Sequence, residues 1–197
     1  FNNDFVVKTQ SRLSNININK LFYSFNNFGQ QFITSQNLQG NLTGDVFFNS
    51  EWSDQIKIYK NTVSSDCDIV IKDGELNDFE PMMALSRFID IDELKNIKFS
   101  TIENKITIKD ERIIIPQMDI SSSVLDVTAS GEHYFDHVYN YHFRLLLSDL
   151  LSSKMKRSKR KRIESNDYEE EQDGRMIVYL LLTGDQDDFK VRYDRKT

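Results

Sequence analysis

At 197 residues, 39% hydrophobic and 28% charged, the chain is long enough for one sizeable domain and too apolar to be disordered. Its 31 acidic residues outweigh 25 basic ones, and the formal net charge of −6 argues against general binding of nucleic acid. A lone cysteine, Cys67, excludes an internal disulfide, and no apolar run is long enough for a transmembrane helix.

Residues 1–17 hold short alternating pieces, Phe5 with Val7 and Ile16 with Ile18. From Asn19 the apolar set Leu21, Phe22, Phe25 and Phe28 has helical spacing. The expectation is a helix over 19–28, capped by Asn19 and stopped by Gly29. Gln36 to Asn49 alternates as a strand, with Gly40 and Gly44 on its apolar side, and Gln55–Lys60 and Asp66–Asp73 read as two more. Asp78 then opens an expected second helix over 78–89, with Pro81 in its first turn and Met82, Leu85 and Ile89 as the buried stripe.

Ile97 to Leu151 is the organising stretch. Strands are expected at Ile97–Ile102, Lys105–Lys109, Arg112–Ile120, Val124–Ser130 and Tyr139–Leu151, with turn chemistry at Asn104, Lys109–Glu111, Ser121–Ser123 and Gly131. Connections this short join antiparallel neighbours. The fold class is therefore mainly β: an antiparallel meander of about ten strands with two short covering helices. Its greasy face carries Leu125, Val127, Phe143, Leu145 and Leu147, the expected lining of an apolar groove.

Seven of the nine residues Lys154–Arg162 are basic and six of the ten residues Glu164–Asp173 are acidic. Such blocks read as a mobile charged loop at 152–174, inside a hairpin closed by Arg175–Leu182 and Phe189–Tyr193. The basic run is a candidate for contact with an anionic membrane surface, which the acidic block can neutralise. Met176–Leu182 is apolar on both faces and should be covered on both.

Chemistry-bearing constellations are scarce. There is no nucleophile elbow, phosphate loop or Cys-x-x-Cys pair. His133, His137 and His142 read as turn and surface residues, Cys67 as a small buried apolar residue, and Asp185, Asp187 and Asp188 as a turn that lacks the rest of a calcium loop. Asn41-Leu42-Thr43 matches a glycosylation sequon too short to carry weight. The expectation is no enzyme, no cofactor and no metal.

One ordered set of segments resembles a known family. Ile69–Leu76, Phe79–Phe88, Leu94–Phe99, Ile115–Ser123, Ser130–Phe135 and Tyr141–Asp149 follow one another as in the C-terminal region of AsmA-family proteins of the Bacteroidota type. The resemblance covers roughly residues 16–197, and the insertion at 154–173 departs from it. It implies that residues 1–197 form one AsmA-like β-domain cut from a longer protein. That protein would be periplasmic and anchored in the inner membrane by an N-terminal helix outside this chain. The implied function is to hold or conduct phospholipid acyl chains along an apolar β-groove, supporting outer-membrane biogenesis and envelope integrity. The alternative is a non-catalytic β-scaffold that docks outer-membrane assembly partners without carrying lipid.

Overall fold

The computed structural model describes residues 3–87, 89–147, 169–170, 175–185 and 188–194. Ten strands build one open antiparallel sheet. They are β1 (Phe5–Asn17), β2 (Leu38–Trp52), β3 (Ser64–Asn77), β4 (Asn96–Lys109), β5 (Arg112–Ser121), β6 (Leu125–Tyr134), β7 (Tyr139–Leu147), β8 (Glu169–Glu170), β9 (Met176–Gly184) and β10 (Phe189–Tyr193). Laterally they follow chain order, β1 to β7, then β9 and β10. The two-residue β8 pairs with β9 at Met176 and Ile177, and β10 pairs with it from Leu180 onward. Every ladder is antiparallel, and the sheet does not close on itself.

Several expected boundaries shift, each for a local reason. The pieces at 1–17 form the single strand β1, 13 residues long, which alternation alone underplays because Thr9 and Ser11 occupy apolar-side positions. Asn104 does not break β4. It pairs with Ile69, and its amide donates to the Pro116 carbonyl at 3.3 Å. Gly131 lies inside β6 rather than ending it, paired with Ile115 and Tyr141, and a Cβ there would stand 2.4 Å from Tyr141 Cδ1. Gln55–Lys60 is no strand. It is a turn returning to β2 through a single Trp52–Ile58 bridge, with Ile56 at φ 60°.

The first cover is the helix α1 (Ile18–Ser24), capped by Asn17, whose side chain accepts from Lys20 N at 2.9 Å. Asn19, expected as the cap, donates instead to the Ser35 carbonyl. Beyond Phe25 the backbone turns left-handed through Asn26, Asn27, Phe28 and Gly29, with φ between 50° and 74°. The second cover is a 3-10 segment, Glu80–Arg87, followed by a short helix α2 (Ile91–Leu94). Asp78 sits at φ 44°, a value a helix cap does not adopt, so the expected α-helix over 78–89 gives way to the tighter winding. Its stripe still points inward: Leu85 and Ile89 are fully buried and Met82 half-buried. Residues 152–168 and 171–174 of the expected charged loop, including the whole run Lys154–Arg162, lie outside the described residues; Glu169 and Glu170 form β8.

The β4–β5 ladder is interrupted. It pairs at Thr107–Ile114, Ile108–Ile113 and Lys109–Arg112, and then again only at the isolated Phe99–Ser122 bridge. The register is the same at both ends, so nothing has slipped between them. Pro116, which has no N–H to give, sits in the gap, next to a bulge between Ile115 and Met118 on the β6 side.

Candidate functional site

Side chains on Cα-paired residues share a face, so the register fixes which residues meet. One face is polar. Arg12, Asp45, Asp68 and Lys105 form a row across β1 to β4, with Arg12 Nε 2.9 Å from Asp45 and Lys105 Nζ 3.4 Å from Asp68. Farther along, Arg112 holds Glu132 at 3.0 Å, and Lys98 holds Glu75 at 3.3 Å. Hydrogen bonding from Asn96 and Lys98 keeps the Glu75 carboxyl below its usual range.

The opposite face is apolar and is covered in three places. Under α1, Ile18 joins Leu38, Leu42, Ile71, Phe99 and Ile102 in one buried cluster. Under the second cover, Leu85, Ile89 and Leu94 pack with Leu125, Leu145, Met176 and Val178. The third place is an aromatic box. Phe32, on the connection between α1 and β2, stacks on Tyr141 with centroids 5.2 Å apart and lies 4.6 Å from Tyr139 and 5.1 Å from Phe79. His133 closes the box, 7% exposed, its Nδ1 3.4 Å from the Tyr141 hydroxyl. Burial pushes the His133 imidazole below its ordinary pKa and the Tyr141 phenol above its own.

His133 is thus an interior residue, not the surface one expected. The signal was present: it continues the alternation Leu125, Val127, Ala129 into the same face. His142 lies on the other face against Asp194, 3.1 Å away. Among the described residues no group of His, Cys, Asp and Glu is arranged to hold a metal ion. Asp185 and Asp188 close the β9–β10 turn on each other, Asp185 N donating to the Asp188 carbonyl at 3.0 Å and Asp188 N to Asp185 Oδ1 at 3.1 Å, while Asp187 lies outside the described residues.

The proposed lining residues do come together. Val127 pairs with Leu145, Ala129 with Phe143, and Leu125 with the backbone of Leu147. They are not an open groove, however. Leu125 and Leu145 are 2% and 1% exposed beneath Leu85, Ile89 and Leu94, and Val127 and Phe143 are half-buried against the same cluster. The chain's own second cover occupies the place where an acyl chain was expected.

The same face continues beyond the covers on β2 to β5. Val46 pairs with Cys67 and Cys67 with Ile106; in the next row Phe48, Ser65, Ile108 and Ile113 stand side by side. Val46, Phe48, Cys67, Ile106, Ile108 and Ile113 are all half-buried, and none belongs to the three buried clusters. Ser65 is satisfied, its hydroxyl donating to the Phe47 carbonyl at 2.7 Å. This strip is apolar and reachable. Sequence reading found its alternation but not its exposure, because alternation says which face a residue takes and not what lies over it.

A cleft of about 500 Å³ opens where β3, β4 and the turn after β5 meet, lined by Asp73, Glu75, Lys98, Phe99 and Ser121–Ser123. Three of its four lining serines are committed to the turn. Ser122 Oγ donates to the Leu125 carbonyl at 2.6 Å, Ser121 Oγ to Asp126 at 2.5 Å, and Ser123 Oγ accepts from Lys98 N at 3.2 Å. Its titratable lining residues are Asp73, Glu75 and Lys98, of which Glu75 and Lys98 are paired with each other at 3.3 Å.

Among the described residues, no helix is long and apolar enough to cross a membrane. In comparisons with known proteins, no family model, no curated protein and no solved structure matches this chain.

Proposed function

We propose that the chain is an AsmA-like β-segment that holds phospholipid acyl chains, and that the strip Val46, Phe48, Cys67, Ile106, Ile108 and Ile113 is where they lie. The observation that carries the reading is this half-exposed apolar row on the core face of the sheet, outside the reach of both covers. Apolar surface left reachable on a folded domain is a binding site or a liability. Acyl chains suit it because each methylene removed from water contributes about 0.8 kcal/mol and needs no polar partner. The sequence resemblance adds the setting: a periplasmic path from inner to outer membrane, with the chain anchored by a segment beyond it.

A second reading, a scaffold that docks a partner strand without lipid, draws on β1. Its outer edge pairs with nothing among the described residues over 13 positions. Gentle purification followed by solvent extraction and mass spectrometry separates the two. Phospholipid should accompany the native chain and should be lost from Phe48→Asp and Ile106→Asp. A chain that is free of phospholipid, or whose load those substitutions leave intact, removes the lipid reading and favours the scaffold.

A further inference from the structure

The last turn of α1 and the left-handed turn after it present Tyr23, Phe25 and Phe28 to solvent, at 78%, 59% and 54% exposure. Exposed aromatics are ordinarily scattered; these are assembled. Phe25 and Phe28 stack with centroids 5.4 Å apart and planes 4° apart, and Phe22 meets Phe28 edge-on at 5.2 Å. The backbone is held in a form that non-glycine residues avoid, with Asn26, Asn27 and Phe28 all at positive φ. The knob is fixed from behind as well, because Asn27 Oδ1 accepts from Ser35 N at 2.9 Å and Asn19 donates to the Ser35 carbonyl.

Charge identifies the partner. From Phe5 to Gly44 the chain has none of its 31 acidic residues and three basic ones, of which Arg12 is held by Asp45, leaving Lys8 and Lys20. Lys20 is exposed on α1 itself. In a chain of net charge −6, an aromatic knob whose own segment, residues 18–37, carries Lys20 and no acid favours an anionic surface that also accepts aromatic rings. We infer that the Tyr23–Phe28 turn is a membrane-interface contact that seats its aromatic rings among the headgroups of an anionic bilayer, with Lys20 beside the phosphates. The contact does not depend on acyl chains being held by the strip on β2 to β5.

The test is sedimentation of the intact chain with vesicles of phosphatidylcholine containing phosphatidylglycerol, against vesicles of phosphatidylcholine alone. The native chain should bind the anionic vesicles more strongly. Tyr23→Ser with Phe25→Ser should weaken that binding about tenfold, and both positions are exposed, so melting should stay within a few degrees. Should the double variant fold poorly, Lys20→Glu decides the matter, with a loss of at least about fivefold on anionic vesicles. A triple variant of the basic run, Lys159→Gln, Arg160→Gln and Lys161→Gln, provides the comparison. The inference is overturned if native protein binds neither vesicle, which would make the knob a protein contact. It is equally overturned if only the basic-run variant loses binding, or if Lys20→Glu and the aromatic double variant both bind as the native chain does.

Discussion

Replacing Leu145 by Asp tests whether the second cover is seated on the sheet or merely near it. Leu145 is 1% exposed and packs with Leu85, Ile89, Leu94, Leu125 and Val178. Truncating a leucine so placed costs about 3–5 kcal/mol. The aspartate adds either an unpaired buried charge or a carboxyl forced to stay protonated. About 5 kcal/mol in all, at roughly 2–4 °C per kcal/mol for a chain of this size, is a fall of about 10–20 °C in Tm. Ile106→Asp places the same carboxylate on the same face in the half-buried strip, where it can reach water; about 1–2 kcal/mol and a few degrees are expected. Both variants are followed by calorimetry and by phospholipid extraction. Leu145→Asp should lose stability, and Ile106→Asp should lose lipid while still folding. If Leu145→Asp melted with the native protein and lost lipid, the cover would not be seated and the groove would run under it.

Other expectations concern single contacts. A methyl group at Gly74 would stand 1.8 Å from Phe99 Cε2, inside the cluster beneath α1, so Gly74→Ala should cost about 1–3 kcal/mol by thermal melting, and Phe99→Leu should recover part of it; an unchanged Tm would show that the ring moves freely. His133 is a base whose folded pKa lies below its unfolded one, so the unfolded chain takes the proton first as pH falls. Its contribution is therefore full above about pH 6.5 and declines below that toward the lowered folded value. Melting between pH 8 and pH 5 should show a slope that His133→Gln reduces, in a box where Asp136 and His137 also bear on the imidazole; equal slopes would place the titration elsewhere. Neutralising the exposed Arg12–Asp45 pair should leave Tm unchanged, because solvent screens it.

The period of two was readable wherever both faces have a clear character, as at Tyr141, Phe143 and Leu145 on β7 or Ile106 and Ile108 on β4, and it gave the meander. It failed where a residue type and its position disagree. Asn104 and Gly131 are turn formers by habit, yet each is held inside a strand by its pairing, Asn104 with Ile69 and Gly131 with Ile115 and Tyr141. The apolar stripe Met82, Leu85 and Ile89 was legible, but not its winding, because the backbone conformation of Asp78 has no signature in side-chain pattern. The proposed lining was found on the right face and in the wrong state. Whether Leu145 is open or covered depends on where residues 80–94 come to rest, a contact across about fifty positions of sequence that periodicity does not carry.

The interrupted ladder between β4 and β5 divides the sheet's backbone bonding into two panels, which one buried cluster still spans through Ile97 on β4 and Leu125 and Leu145 on β6 and β7. Within each panel, backbone bonds couple neighbours along most of their length, whereas the panels are joined by three consecutive pairs and one distant bridge. Amides along the gap should exchange with solvent sooner than those of β3 or β7, and local opening there loosens the far end of the β4–β5 hairpin while its three turn-proximal pairs hold. The apolar strip straddles this joint, with Ile106 and Ile108 on one panel and Ile113 on the other. Because Ile108 and Ile113 are themselves paired, anything lying in the strip would rest on the bonded end of the joint and away from the gap.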